Sequence, residues 1–292
     1  MALVNSVQHI FSYSIVDNQY TPQHQASTIS IRNSFTHRYN DFYSSNFMEW
    51  HIMSWLSNKP IPVNERLIVA LDVPDIPSAK ALVTLLGDSV VFYKVGLELF
   101  MSGNYFDLID WLNEQNKRIF VDLKFFDVPA TVGRAVKQLS DKKVDFVTIH
   151  GNDAIMQAAA DQKGSLKVLA VTVLTSLDRG DLDDLGFKCD VEKLVTSRAK
   201  RAIALGCDGV ISSGLEAPGL RESLGKNFLV VSPGIRPVDN RPEDDQKRVV
   251  SVEQAFYNGA DHIVVGRPIR DAQDPRQAAI DIQDSIRAVF SD

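Results

Sequence analysis

A chain of 292 residues with 45% hydrophobic and 23% charged side chains can bury a sizeable core, which excludes a globally disordered protein. No apolar run approaches the ~18 residues of a membrane-spanning helix. A net charge of −6 gives poor footing on nucleic-acid phosphates or an anionic membrane, so neither is expected as a partner. The two cysteines, Cys189 and Cys207, exclude a disulfide scaffold and a zinc ribbon and suit a reducing cytoplasm.

Composition divides the chain near residue 60. The first 60 residues hold none of the 16 glycines, yet four of the six histidines (His9, His24, His37 and His51). They show no lasting period of 2 or 3.6 and no apolar core of a secretory signal. Residues 1–60 are therefore expected to be a poorly ordered extension, with Met48 and Met53 as alternative translation starts. Pro60 and Pro62 mark the linker, and the catalytic domain is expected over 61–292.

From Arg66 onward, short runs of Val, Ile and Phe alternate with helical stretches. Strands are expected at 67–71, 90–95, 118–123, 146–150, 167–174, 209–212, 228–232 and 262–266. They are almost continuously apolar, as parallel strands covered on both faces are. Ser251 to Gln254 forms a capping box and Gly259 a helix stop, so 252–258 reads as helix; Gly206 ends another at 192–205. Three turns share a pattern: Lys143-Val-Asp-Phe-Val, Gly206-Cys-Asp-Gly-Val and Gly259-Ala-Asp-His-Ile. Eight strand–helix units predict an α/β protein, a single (β/α)₈ TIM barrel. A doubly wound open sheet is the alternative.

Chemistry in a barrel sits at the carboxyl ends of the strands. Those ends are charged here. The first strand ends at Asp72, the second carries Lys94, and the third ends Asp122-Leu123-Lys124, followed by Asp127. Asp122 and Lys124 are two apart and so share a side of a strand. A lone Asp-x-Lys reads as an ion pair capping the barrel. Four alternating charges at neighbouring strand ends do not, because desolvating each ion costs several kcal/mol. The seventh and eighth strands end in Pro233-Gly234-Ile235-Arg236 and Gly266-Arg267. These are the usual phosphate-binding loops of the architecture; glycine admits backbone N–H groups to a phosphate, and arginine grips two oxygens. The polar stretch 237–247, which contains Gln246, is long enough to fold over a ligand.

Asp122-Leu-Lys124-Phe-Phe-Asp127-Val-Pro129-Ala-Thr131 resembles the Asp-x-Lys-x-x-Asp-Ile-Pro-x-Thr signature of the orotidine 5′-phosphate decarboxylase family, bacterial branch. Ala70-Leu-Asp72, Lys94-Val-Gly96, Val173-Leu-Thr175-Ser176, Ser232 to Arg236, Asp245-Gln246 and Val265-Gly266-Arg267 fall in the family's order, between about Arg66 and Phe290. Phe126 and Ala130 depart from the pattern, standing where many members have His and Asn.

The resemblance implies decarboxylation of orotidine 5′-monophosphate to uridine 5′-monophosphate, the last step of de novo pyrimidine synthesis, with no cofactor and no metal. It implies Lys124 as proton donor, with Asp122, Asp127 and Lys94 completing the catalytic network. It assigns Asp72 and Lys94 to the ribose hydroxyls, Thr175 to the pyrimidine edge, and Arg236, Gln246, Gly266 and Arg267 to the phosphate. Asp122 also approaches the substrate. The resemblance further implies a homodimer in which Asp127 and Thr131 of one chain complete the partner's site. Two rivals remain. Magnesium-dependent sugar-phosphate enzymes of the same superfamily share Asp-x-Lys-x-x-Asp but carry an acid near the Lys94 position. A phosphate-sensing barrel without chemistry would use Gly266 and Arg267 alone.

Overall fold

The computed structural model describes residues 55–236 and 249–291. The expected disorder of the extension up to residue 54, the 237–247 stretch and Gln246 lie outside the described residues.

Eight parallel strands close into a barrel in chain order: β1 (Leu67–Ala70), β2 (Phe92–Gly96), β3 (Arg118–Phe125), β4 (Phe146–Ile149), β5 (Lys167–Val171), β6 (Gly209–Ile211), β7 (Leu229–Ser232) and β8 (His262–Val265). β1 pairs with both β2 and β8. The barrel excludes the open doubly wound sheet, whose edge strands would not meet. The strand expected at 167–174 stops at Val171, where Thr172 turns its hydroxyl to the Ile211 carbonyl at 2.9 Å.

The helices are α1 (Ile76–Leu86), α2 (Leu97–Met101), α3 (Tyr105–Glu114), α4 (Pro129–Ser140), α5 (Asp153–Gln162), α6 (Arg179–Asp184), α7 (Val191–Ala204), α8 (Ala217–Leu224), α9 (Val252–Tyr257), α10 (Arg267–Arg270) and α11 (Pro275–Phe290). Local chemistry sets their ends. The Asp75 carboxylate accepts from Ser78 N–H at 2.8 Å at the start of α1, and the Ser251 hydroxyl accepts from Gln254 N–H at 3.2 Å at the start of α9. After α9 the chain turns at Gly259, whose φ of 103° suits a residue without a Cβ.

Side chains alternate across each strand and separate two cores. Ile68, Ala70, Phe92, Phe120, Phe146, Leu169, Leu229, Val231 and Val264 fill the barrel interior. A larger cluster, including Leu67, Val69, Tyr93, Val121 and Val147, packs the strands against the helices. The alternation also places the site. Two residues beyond Ala70, Phe92, Phe120 and Phe146 come Asp72, Lys94, Asp122 and Thr148, the next layer toward the mouth.

The repeated turn has one job, done three times. Asp145, Asp208 and Asp261 each accept the backbone N–H at the neighbouring strand: Ile119 at 2.8 Å, Val168 at 2.9 Å and Val230 at 2.9 Å. Each also pairs with a cation, namely Arg118, Lys163 and Arg221. Asp261 is fully buried and gathers more. Arg221 lies 2.8 Å away, Lys59 donates at 2.9 Å and Ser57 at 2.5 Å. Burial pushes its carboxyl up, but Arg221 and Lys59 outweigh that and hold it below the usual carboxylate range. Ser57 and Lys59, which the sequence placed in the poorly ordered extension, are instead ordered: their bonds to buried Asp261 fasten the chain entering β1 to the amino-terminal end of the barrel.

Candidate active site

A cavity of about 510 Å³ opens at the carboxyl ends of the strands. Of the residues singled out in the sequence, Asp72, Lys94, Asp122, Lys124, Thr175, Arg236, Gly266 and Arg267 line it. Asp127 and Thr131 do not, and Gln246 lies outside the described residues.

The four charges form one ladder. Lys94 Nζ is 2.9 Å from Asp72 Oδ1 and 3.4 Å from Asp122 Oδ2; Lys124 Nζ is 3.0 Å from Asp122 Oδ1. Their placement follows from three adjacent strands, each contributing at its exit. Burial pulls the Lys94 ammonium down, but the Asp122 and Asp72 carboxylates prevail and hold it above its ordinary value. Burial raises the Asp122 carboxyl, while Lys94, Lys124 and a hydrogen bond from Thr148 lower it further, to below the usual carboxylate range. Both stay charged near neutrality. Gly96 leaves room for the Lys94 head: a Cβ there would lie 3.2 Å from Nζ.

The Asp122–Lys124 pair forms as expected, but not through regular strand geometry. The β3–β4 register slips between Val121 and Phe125, and Lys124 has a φ of 47°. Such a bulge re-aims a side chain at the mouth.

The exits of β7 and β8, the latter next to β1, carry arginines. Arg236 follows β7, Arg267 opens α10 directly after Gly266, and both reach the cavity. Arg270, one turn beyond, lines it too and donates to the Asp72 carbonyl. Thr175 is buried at the cavity wall beside Ser176 and Leu174. Asp127 faces solvent and accepts the Val128 N–H at 2.6 Å; Thr131 Oγ1 accepts from Arg134 at 3.3 Å. Phe126, one of the two departures from the signature, is exposed with its ring 5.6 Å from that of His150.

Sequence reasoning missed Thr148 and Arg270. Thr148 donates to Asp122 Oδ1 at 2.9 Å. Its place two residues after the inward Phe146 was the available signal. Nothing in the sequence separated Arg270 from an ordinary helix arginine. The two histidines after residue 60 stand apart, as the parallel strands require: His150 follows β4, and His262 begins β8. Among the described residues no group of three or more His, Cys, Asp or Glu side chains is placed to hold a metal ion, and no helix is long and apolar enough to cross a membrane.

A closed parallel barrel whose strand exits converge on lysines, carboxylates and arginines defines a class: a TIM-barrel enzyme with its chemistry at the carboxyl face. Comparison with known proteins narrows it. The profile of the "Orotidine 5'-phosphate decarboxylase / HUMPS family" matches residues 65–282. The orotidine 5'-phosphate decarboxylase of Methylococcus capsulatus is 71% identical over 238 residues, 82% of this chain and 98% of that protein. The one from Xanthomonas euvesicatoria is 52% identical over 239 residues, 80% of this chain and 98% of that protein. A crystal structure of the Lactobacillus acidophilus orotidine 5'-phosphate decarboxylase aligns with a TM-score of 0.68 at 36% identity, covering 76% of this chain and 99% of that one. The chain belongs to the orotidine 5'-phosphate decarboxylase family.

Proposed function

We propose that the chain converts orotidine 5′-monophosphate to uridine 5′-monophosphate and CO₂, serving pyrimidine synthesis in the cytoplasm, with Lys124 as the proton donor. The observation that carries this reading is the ladder Asp72–Lys94–Asp122–Lys124 sharing one cavity with the arginines of the β7 and β8 exits. When the C6–carboxyl bond breaks, its electron pair stays on C6 and CO₂ departs. Lys124 stabilises the developing negative charge and passes an Nζ proton to C6; solvent then reprotonates the amine. Asp122 orients that ammonium, and Asp127 of the partner subunit supports it. Asp72 and Lys94 hold the ribose hydroxyls, Thr175 the pyrimidine edge, and Arg236, Gln246, Gly266 and Arg267 the phosphate.

No cofactor enters this scheme. Lys94 Nζ lies between the two carboxylates, at 2.9 Å and 3.4 Å, where a divalent ion would need to sit. Its charge repels one. This disfavours the magnesium-dependent reading, and the largely buried Lys94–Asp122 pair at the centre of the ladder disfavours a binding-only barrel.

The active unit is a homodimer with shared sites. Two observations support it. Asp127 and Thr131 lie outside their own chain's cavity. Of nine exposed large hydrophobic side chains among the described residues, six (Leu97, Phe100, Met101, Phe106, Phe126 and Val128) fall in the segments after β2 and β3. A two-fold contact through this face exchanges the same residues in both directions, so each dimer has two composite sites.

Turnover is followed as loss of orotidylate absorbance, with and without EDTA. EDTA-resistant conversion supports the reading; no conversion, or loss with EDTA, refutes it. Sharing is tested by mixing Lys124→Ala with Asp127→Ala chains. A mixed dimer gathers both lesions in one site and leaves the other intact, so activity returns. Verified heterodimers as inactive as their parents would refute sharing.

A further inference from the structure

Thr148 joins the two functional residues of β3. Its hydroxyl donates to Asp122 Oδ1 at 2.9 Å and accepts from the Lys124 backbone N–H at 2.9 Å. Neither bond can reverse, because a carboxylate only accepts and an amide N–H only donates. The side chain is completely buried and does not line the cavity.

The strand pairing shows why such a tie is needed. Val121 pairs with Val147 and Phe125 with Ile149. Between these points, Asp122, Leu123 and Lys124 stand opposite Thr148 alone. β3 therefore bulges by two residues. Within the bulge Lys124 takes a φ of 47°, a left-handed conformation unfavourable for a residue with a Cβ. Strained backbone persists only where its surroundings over-determine it. Here the Thr148 hydroxyl supplies the acceptor for the Lys124 N–H. The same oxygen fixes Asp122 Oδ1, which in turn receives the Lys124 ammonium at 3.0 Å.

We propose that Thr148 is a positioning residue for the reaction: it clamps the β3 bulge so that Lys124 and Asp122 hold their mutual geometry. The inference rests on the decarboxylase reading above. Thr148 acts on the chemical end of the site and leaves the arginine end of β7 and β8 alone, which sets its signature.

The test compares Thr148→Val, of nearly the same shape without the hydroxyl, with Thr148→Ser, which keeps it. Thr148→Val should lower kcat about ten- to a hundredfold, the rate equivalent of one hydrogen bond to a charged group. KM for orotidine 5′-monophosphate should stay within about twofold, because uniform binding is untouched. The acid limb of the kcat profile should move to higher pH, since Asp122 loses a hydrogen bond that favours its charged form. Thr148→Ser should recover most of the kcat and the original acid limb. A merely structural threonine would change the melting temperature and the folded fraction without moving the profile of the folded enzyme.

Thr148→Ala is assayed alongside, so that a clash from the valine methyl does not decide the outcome. If valine and alanine variants both fold and keep more than a third of wild-type kcat with an unmoved acid limb, the inference is overturned. It is equally overturned if only the serine variant folds, because the hydroxyl then serves the fold and not the site. Wild-type enzyme runs in parallel; failure of the wild type to decarboxylate would overturn the functional reading itself, a distinguishable result.

Discussion

Replacing His262 by asparagine should flatten the acid side of the stability profile. His262 begins β8 at the amino-terminal end of the barrel and is 2% exposed. Its Nδ1–H donates to the Glu65 carbonyl at 2.9 Å, and its ring meets Phe146 and Phe92 edge-on at 5.2 Å and 5.9 Å. Burial disfavours the imidazolium and lowers the pKa to about 4 from the ordinary 6.5, outweighing the Glu65 carbonyl and Asp261, which favour it. The unfolded chain therefore takes up a proton near pH 6.5 that the folded chain refuses until about pH 4. Stability is complete above pH 6.5, falls through that window, and levels off below it. At ~1.4 kcal/mol per pH unit the whole window amounts to about 3 kcal/mol, of which about 2 kcal/mol is lost between pH 7 and pH 5. Asparagine places an amide N–H where Nδ1–H was and does not titrate. Urea unfolding of both proteins at pH 7 and pH 5 measures the difference. The variant should be less stable at pH 7, from lost ring contacts, yet lose about 2 kcal/mol less than wild type on acidification. Parallel losses would refute the buried, neutral histidine.

Three further outcomes are expected. Lys124→Ala should abolish turnover by many powers of ten while a uridylate-like ligand still binds; retention of about a tenth of turnover, a barrier change of only ~1.4 kcal/mol, would rule out the proton-donor role. Arg267→Ala should weaken ligands bearing a 5′-phosphate by a few kcal/mol and leave the plain nucleoside nearly unaffected, as competition measurements would show. A chain starting at Met53 should melt like the full-length protein, whereas one starting at Ile61 loses Ser57 and Lys59 from buried Asp261. The second should be less stable by about 1–3 kcal/mol, below the usual cost of breaking a buried pair because Arg221 stays.

The barrel was legible because parallel strands buried on both faces leave unbroken apolar runs, and all eight appear where those runs fall. The charges of the mouth were legible for the opposite reason: Asp72, Lys94, Asp122 and Lys124 interrupt the runs at their carboxyl ends. What stayed hidden depends on register or on distance in the chain. The i, i+2 spacing of Asp122 and Lys124 predicted a regular strand, and a sequence carries no mark of a two-residue slip or a φ of 47°. Thr148 looks like any strand threonine until that slip sets it opposite both. Arg270 reaches the cavity only because α10 turns it back over Asp72. Asp127 is visible as a motif residue, yet its own chain offers it no place at the cavity.

The cavity's charges are also sorted in space. Two lysines and two carboxylates form the ladder, so from a distance that wall is close to neutral. Arg236 and Arg267 stand at the exits of β7 and β8, and Arg270, over Asp72, is paired with Asp271, while the chain as a whole carries −6. Beyond the ~8 Å over which physiological salt lets charges be felt, an approaching anion meets general repulsion. Within that range the arginines at the β7 and β8 exits attract it. A ligand with its negative charge concentrated at one terminus is thus turned before it touches anything, arriving terminus first with its ring trailing toward the ladder. Encounter rate should then fall with added salt, while the bond-breaking step, enclosed among paired charges, hardly responds.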